Sequence, residues 1–78
     1  KEAIESYKQA IRIDPDFAEA HHDLGVAYGE LGKHEEAIKS FKQAIRIDPD
    51  YAEAHRNLGT VYSESGMYKK AIEFKETV

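Results

Sequence analysis

The four histidines of this sequence are the residues that most directly suggest a metal site, and the sequence contains no cysteine. The histidines are His21, His22, His34 and His55, and no two of them have the i, i+3 or i+4 spacing that places ligands on one helix face. The lack of cysteine also excludes disulfides, thiolate zinc sites and cysteine nucleophiles. We therefore predict no bound metal and no cofactor.

Ser63, Glu64 and His55 form one loose group of residues that could support nucleophilic catalysis. A helix would spread these side chains over about three turns, and no further residue is available to orient the histidine. A serine nucleophile needs an adjacent base that a third group holds in place. The sequence therefore predicts no enzymatic activity.

The charge of the chain bears on its partners. Its net charge is -4, with 33% charged residues, whereas nucleic-acid binding usually requires a basic face. No apolar run approaches the roughly 18 residues needed to cross a bilayer, and the start of the chain does not resemble a signal peptide. We expect no nucleic-acid or membrane partner, and a cytoplasmic location.

The elements that position these residues occur twice. The stretch QAIRIDPD is found at residues 9–16 and again at residues 43–50, 34 positions apart. Around it, residues 3–20 and 37–54 differ at only three positions. A repeat of this length indicates a supersecondary unit that recurs along the chain.

Apolar residues within each unit recur at helical spacing and predict helices at about residues 2–13, 17–30, 34–47, 51–64 and 68–77. One kind of apolar stripe comprises Ala37, Ile38, Phe41, Ala44 and Ile45, and the other comprises Phe17, Ala20, Leu24, Ala27, Tyr28 and Leu31. The Asp-Pro pairs at 14–15 and 48–49 should end helices, because the residue before proline avoids the α region. Gly32 and Gly66 suit left-handed helix caps.

These features resemble the tetratricopeptide repeat, a 34-residue unit of two helices, A and B. The resemblance lies in the motif His21-x2-Leu24-Gly25-x2-Tyr28, followed by Ala37-x3-Phe41 and Pro49, with histidine where the family pattern has tryptophan. It implies an all-α, right-handed α-solenoid of about five helices in antiparallel pairs. Gly25 and Gly59 are expected where helix B approaches helix A, beside Ala37 and Ala71. The second copy is irregular at Phe74, which comes one residue early.

The resemblance also implies a domain organisation. Residues 1–78 form one repeat domain, in which residues 1–17 are the B helix of a partial repeat. Residues 18–51 are a complete repeat, and residues 52–78 are a second repeat that is truncated or irregular.

In this family the concave groove, lined mainly by the A helices, binds partners. Helical spacing places ten predicted peptide-binding residues opposite the apolar stripe of the A helices: Glu19, His22, Asp23, Val26, Glu30, Glu53, Arg56, Asn57, Thr60 and Glu64. The two copies differ most at these positions. The difference fits distinct sub-sites for an extended ligand, and it fits equally the drift of solvated positions.

Asn57 stands where family members often carry an asparagine that hydrogen-bonds a peptide backbone. Arg56 and Asn57 also resemble part of the clamp that grips the C-terminal carboxylate of chaperones. However, His22, Val26 and Thr60 occupy positions where that clamp would need more donors.

Charge is divided between the two kinds of helix. Residues 16–30 contain four acidic side chains and no lysine or arginine, and residues 50–64 contain three acidic side chains and one arginine. Residues 33–47 contain four basic and two acidic side chains. We therefore predict an acidic groove, a mildly basic convex side and a basic partner.

The leading hypothesis is a non-catalytic module that binds an extended peptide or protein segment in the groove. One alternative is an architectural segment without a ligand, and another is an engineered, consensus-like repeat. Self-association through the terminal helices is also expected, because each would expose an apolar stripe. These stripes comprise Ala3, Ile4, Tyr7, Ala10 and Ile11 at one end and Ala71, Ile72, Phe74 and Val78 at the other.

Overall fold

The computed structural model describes residues 2–66, which form four α-helices. They are α1 (Glu2–Ile13), α2 (Ala18–Glu30), α3 (His34–Ile47) and α4 (Ala52–Glu64). Their bounds agree with the first four predicted helices to within one residue. The fifth predicted helix, at 68–77, and the irregular position Phe74 lie outside the described residues.

The Asp-Pro pairs end α1 and α3 as predicted, and they build the same turn twice. The N–H of Asp14 donates to the Ala10 carbonyl (2.9 Å), and the N–H of Asp16 donates to the Asp14 carboxylate (3.2 Å). In the second copy, Asp48 donates to the Ala44 carbonyl and Asp50 to the Asp48 carboxylate, at the same distances. QAIRIDPD recurs because it specifies a helix end together with the turn that follows it.

Gly32 and Gly66 end α2 and α4 in the left-handed conformation, with φ of 76° and 84°. After α2, the N–H of Lys33 donates to the Tyr28 carbonyl (2.9 Å) and the N–H of Gly32 to the Gly29 carbonyl (3.0 Å). This is the Schellman arrangement, which satisfies the last carbonyls of a helix. The prediction of left-handed caps is confirmed.

The helices pack in the order of the sequence. α2 contacts α1 and packs most extensively on α3, and α3 in turn packs on α4. α2 and α4 also touch directly, so these two helices lie side by side against α3. The buried core between them comprises Ala37, Ile38, Phe41, Leu58, Val61 and Tyr62. Among the helices of residues 2–66, none has the length and apolar character needed to cross a membrane.

The prediction that Phe17 and Leu31 complete the apolar stripe of α2 is wrong. Leu31 is 56% exposed, because it follows the last residue of the helix where Gly32 turns the chain away. Phe17 is 42% exposed and precedes the helix with a non-helical ψ of 89°. The stripe is therefore shorter than its spacing indicates.

Gly25 marks a close approach between α2 and α3, and the atoms nearest to it belong to the Phe41 ring. A Cβ atom at Gly25 would lie 2.7 Å from the Cε1 atom of Phe41, well inside van der Waals contact. Only a glycine lets the Phe41 ring come this near to the backbone. The corresponding prediction for Gly59 depends on Ala71, which lies outside the described residues.

Candidate functional site

The ten residues predicted to bind a peptide lie on α2 and α4. The structure brings nine of them into three groups: a cleft between the helices, a set of hydrogen bonds across them, and a cluster of carboxylates around Tyr51. The tenth, Arg56, is exposed on α4. We refer to the surface that carries these groups as the α2/α4 face.

The cleft lies between α2 and α4 and has a volume of about 260 Å³. Its lining includes five of the ten predicted residues, namely Val26, Glu30, Asn57, Thr60 and Glu64. Phe41 and Val61, both buried core residues, also line it and give it an apolar floor. Sequence analysis had assigned Phe41 to the core alone, since a helical stripe does not show that one edge of a core ring faces a cleft.

A chain of hydrogen bonds joins the two helices through His22. The Asn57 amide nitrogen lies 3.0 Å from His22 Nε2, and His22 Nδ1 lies 3.2 Å from an Asp23 carboxylate oxygen. Because the amide N–H donates, Nε2 must accept, and Nδ1 then carries the proton donated to Asp23. One amide hydrogen of Asn57 is thus engaged within the protein, while its carbonyl oxygen and second hydrogen are the groups that a peptide backbone would need.

The His22 ring is packed between two aromatic rings and is only 7% exposed. Its centroid lies 5.6 Å from that of Phe41 and 5.0 Å from that of Tyr51. His22 is therefore less open to a ligand than the predicted groove position implies, and through its bond to Asn57 it forms a contact between the two repeats. Nothing in the sequence indicated that Tyr51 belongs to this site, because Tyr51 lies 34 positions after Phe17, which was assigned to the apolar stripe.

Carboxylates from both helices converge near Tyr51. Burial, followed by the charges of Asp23, Glu19, Glu53 and Asp48, raises the pKa of the Tyr51 phenol above its usual value. Burial alone would raise this pKa, and the four carboxylates raise it further, because negative charge disfavours the phenolate. At this point the α2/α4 face is acidic.

His21 and His55 stand where the tetratricopeptide pattern has tryptophan, and each forms a hydrogen bond to the turn before its helix. Nε2 of His21 donates to the Pro15 carbonyl at 3.0 Å, and Nε2 of His55 donates to the Pro49 carbonyl at 2.8 Å. Each histidine thus ties its helix to the turn that precedes it. Within residues 2–66 no group of three or more histidine or acidic side chains is arranged to hold a metal ion.

The hydrogen bond between His22 and Asn57 should contribute measurably to stability. We expect Asn57→Ala to lower the free energy of unfolding by about 1 kcal/mol, the usual net contribution of such a bond. In a His22→Phe background, which keeps a ring between Phe41 and Tyr51, the same substitution should cost much less. Urea denaturation of the four proteins in this double-mutant cycle gives the coupling energy, and strictly additive effects would show that the hydrogen bond contributes nothing.

Comparison with known proteins gives matches over most of the chain. The model of the TPR repeat family matches residues 1–32 and 28–66. Among curated proteins, no sequence matches significantly.

Two solved structures with the same fold are those of MamA and of the second TPR of Spaghetti (RPAP3), the latter bound to the HSP90 peptide SRMEEVD. The MamA structure is 27% identical with a TM-score of 0.89, and the match covers 94% of this chain and 40% of MamA. The RPAP3 domain is 34% identical with a TM-score of 0.86, and the match covers 95% of this chain and 68% of that one.

This chain thus spans less than half the length of MamA. The family model and the solved structures agree on an all-α solenoid of helix pairs, the architecture of protein-interaction scaffolds. The chain belongs to the tetratricopeptide repeat family.

Proposed function

We propose that this chain is a non-catalytic interaction module that binds an extended, basic segment of a partner protein along the α2/α4 face. The convergence of carboxylates from both helices near Tyr51 carries the proposal. Glu19 and Asp23 come from α2 and Glu53 from α4, so a ligand that crosses both helices would pass through one acidic field. Such a field sets the association rate and the choice of partner.

The sequences of α2 and α4 also favour a positively charged ligand. α2 contains no lysine or arginine, and Arg56 is the one such residue in α4. Glu30 and Glu64 add negative charge at the cleft. The second N–H and the carbonyl oxygen of Asn57 would fix the backbone of a bound segment, and the carboxylates would select its side chains.

The RPAP3 domain binds a peptide in which two glutamates and one aspartate outnumber one arginine. The α2/α4 face is suited to a ligand of opposite charge. Arg56 and Asn57 supply two donors for a terminal carboxylate, but His22 is buried and neither Val26 nor Thr60 carries a positive charge. We therefore propose a basic segment for this chain and no carboxylate clamp.

Selection from a library of random heptapeptides, displayed on phage and presented to the immobilised chain, tests this function. We expect the selected peptides to be enriched in lysine and arginine. Peptides enriched in acidic residues would contradict the proposal, and a failure to enrich any peptide would favour the architectural alternative.

Charge reversal on the face should slow the association of a selected basic peptide. Glu19→Lys or Glu53→Lys should lower the association rate constant at low salt and flatten its dependence on ionic strength, because steering is electrostatic. Glu35→Lys is the matched control, since Glu35 is also exposed but lies on α3. Stopped-flow fluorescence measures the rates, and an equal effect of all three substitutions would refute steering by this face.

We also propose that the chain self-associates through α1. This helix has no fully buried residue, although Ile4, Tyr7, Ala10 and Ile11 line one of its faces. These four side chains are half-buried, and the apolar surface that they leave exposed favours association. Light scattering at increasing concentration should show a rising mass that Tyr7→Glu suppresses, whereas a constant monomer mass would contradict the proposal.

A further inference from the structure

The cleft of the α2/α4 face has the size of a site for one side chain. Pockets that bind drug-sized molecules measure about 300–1,000 Å³, and the cleft, at about 260 Å³, falls below that range. A single long side chain projecting from an extended backbone is an occupant of suitable size.

The cleft is lined by apolar residues where it is buried and by carboxylates where it is exposed. Phe41 and Val61 are almost fully buried and Val26 is half-buried, whereas Glu30 and Glu64 are exposed. An occupant that matches this gradient has an aliphatic stem and a charged end. Lysine and arginine bury their stems and keep their charged ends in water in this manner.

The repeat places the two carboxylates at equivalent positions. Glu30 and Glu64 are 34 residues apart, so each occupies the same place on its own helix, near the C-terminal end. Within residues 2–66, neither makes an ion pair with a lysine or arginine of the chain. The partial negative charge at the C-terminal ends of α2 and α4 adds to the attraction for a cation.

Gly29 keeps one wall of the cleft open. A Cβ atom at this position would meet no other atom within 4 Å, so a larger side chain would enter the cleft without displacing the core. At the equivalent position α4 carries Ser63, which does not line the cleft.

We infer that the cleft is a specificity pocket for a lysine or arginine side chain of the bound segment. The stem lies against Phe41, Val61 and Val26, and the cationic end lies between Glu30 and Glu64. The inference rests on the proposed function, because the pocket would recognise one residue of the segment that the whole α2/α4 face binds.

Small analogues of the lysine side chain test the pocket without a known peptide. n-Butylammonium, n-butanol and n-butyrate have similar four-carbon chains and differ in charge. Each is titrated into the isotope-labelled chain, and the amide resonances of Gly29, Asn57 and Thr60 are followed by NMR. We expect n-butylammonium to half-saturate these shifts at an about three- to tenfold lower concentration than n-butanol, the range given by two partly exposed ion pairs, and n-butyrate to bind more weakly than n-butanol.

Two variants separate charge from shape. Glu30→Gln combined with Glu64→Gln should remove the advantage of n-butylammonium and leave n-butanol unchanged. Glu35→Gln, on α3 and outside the cleft, should preserve the advantage. Gly29→Leu should abolish the shifts caused by both compounds, and its circular dichroism spectrum checks that it remains folded.

The inference is overturned if n-butanol binds as tightly as n-butylammonium, if the advantage survives the double substitution, or if folded Gly29→Leu still shows the shifts. Should this occur while basic heptapeptides still bind the α2/α4 face, the pocket fails and the proposed function stands. A loss of both kinds of binding overturns both.

Discussion

Replacing Leu58 by alanine is expected to lower the free energy of unfolding by about 2–5 kcal/mol, as is usual for a buried leucine. Leu58 is 1% exposed and lies in the core that joins α3 to α4, so its removal leaves a cavity where the two helices meet. A small domain with a total stability of about 5–15 kcal/mol loses a large share of it in this way. Urea denaturation followed by circular dichroism measures the change.

Leu31→Ala is the matched control, because it removes the same atoms from a side chain that is 56% exposed. Its effect should remain within about 0.5 kcal/mol of zero. If the two substitutions destabilised the chain equally, the assignment of Leu58 to the core and of Leu31 to the surface would be wrong.

Gly25→Ala is the second substitution from which we expect a large effect on stability. It should destabilise the chain, whereas Gly29→Ala should stabilise it. At Gly25 the new methyl group would overlap the Phe41 ring, which is 1% exposed and has little room to move. Overpacking of this kind costs about 1–3 kcal/mol, and better helix propensity returns up to about 1 kcal/mol. Because the approach of 2.7 Å is severe, the packing cost should exceed this gain and leave a net loss of up to about 2 kcal/mol.

At Gly29 the methyl group meets no atom within 4 Å. The gain in helix propensity, up to about 1 kcal/mol, should therefore appear without a packing cost. Thermal melts of the two variants beside the native chain should move in opposite directions. A gain in stability at both positions would mean that the close approach at Gly25 does not constrain the fold.

Sequence analysis predicted most of the helix ends, because local chemistry sets them. Proline excludes the helical conformation from the residue before it, and Gly32 adopts the left-handed conformation that other residues avoid. Each of these effects acts within a few residues, so one sequence is enough to find it. Leu31 was misassigned because its helical spacing continued one position past the end of the helix.

The contacts between repeats could not be predicted from local sequence in this way. The bond between His22 and Asn57 joins residues 35 positions apart, and the place of His22 between two rings depends on how α2 sits on α3 and α4. Spacing on one helix assigned His22 to an outer face and gave no sign that α4 covers it. Helical spacing did not predict the cleft either, because its floor is made by side chains that also belong to the core.

The most direct test of the central claim compares the binding of two heptapeptides that differ in the sign of their charges. One is SRMEEVD, the peptide bound by the RPAP3 domain, and the other is its charge-reversed form SEMKKVK, both amidated at the C terminus. If the α2/α4 face binds basic segments, isothermal titration calorimetry at low salt should show SEMKKVK binding about tenfold or more tightly, with the difference shrinking as salt is added. Equal affinity, or tighter binding of SRMEEVD, would contradict the claim.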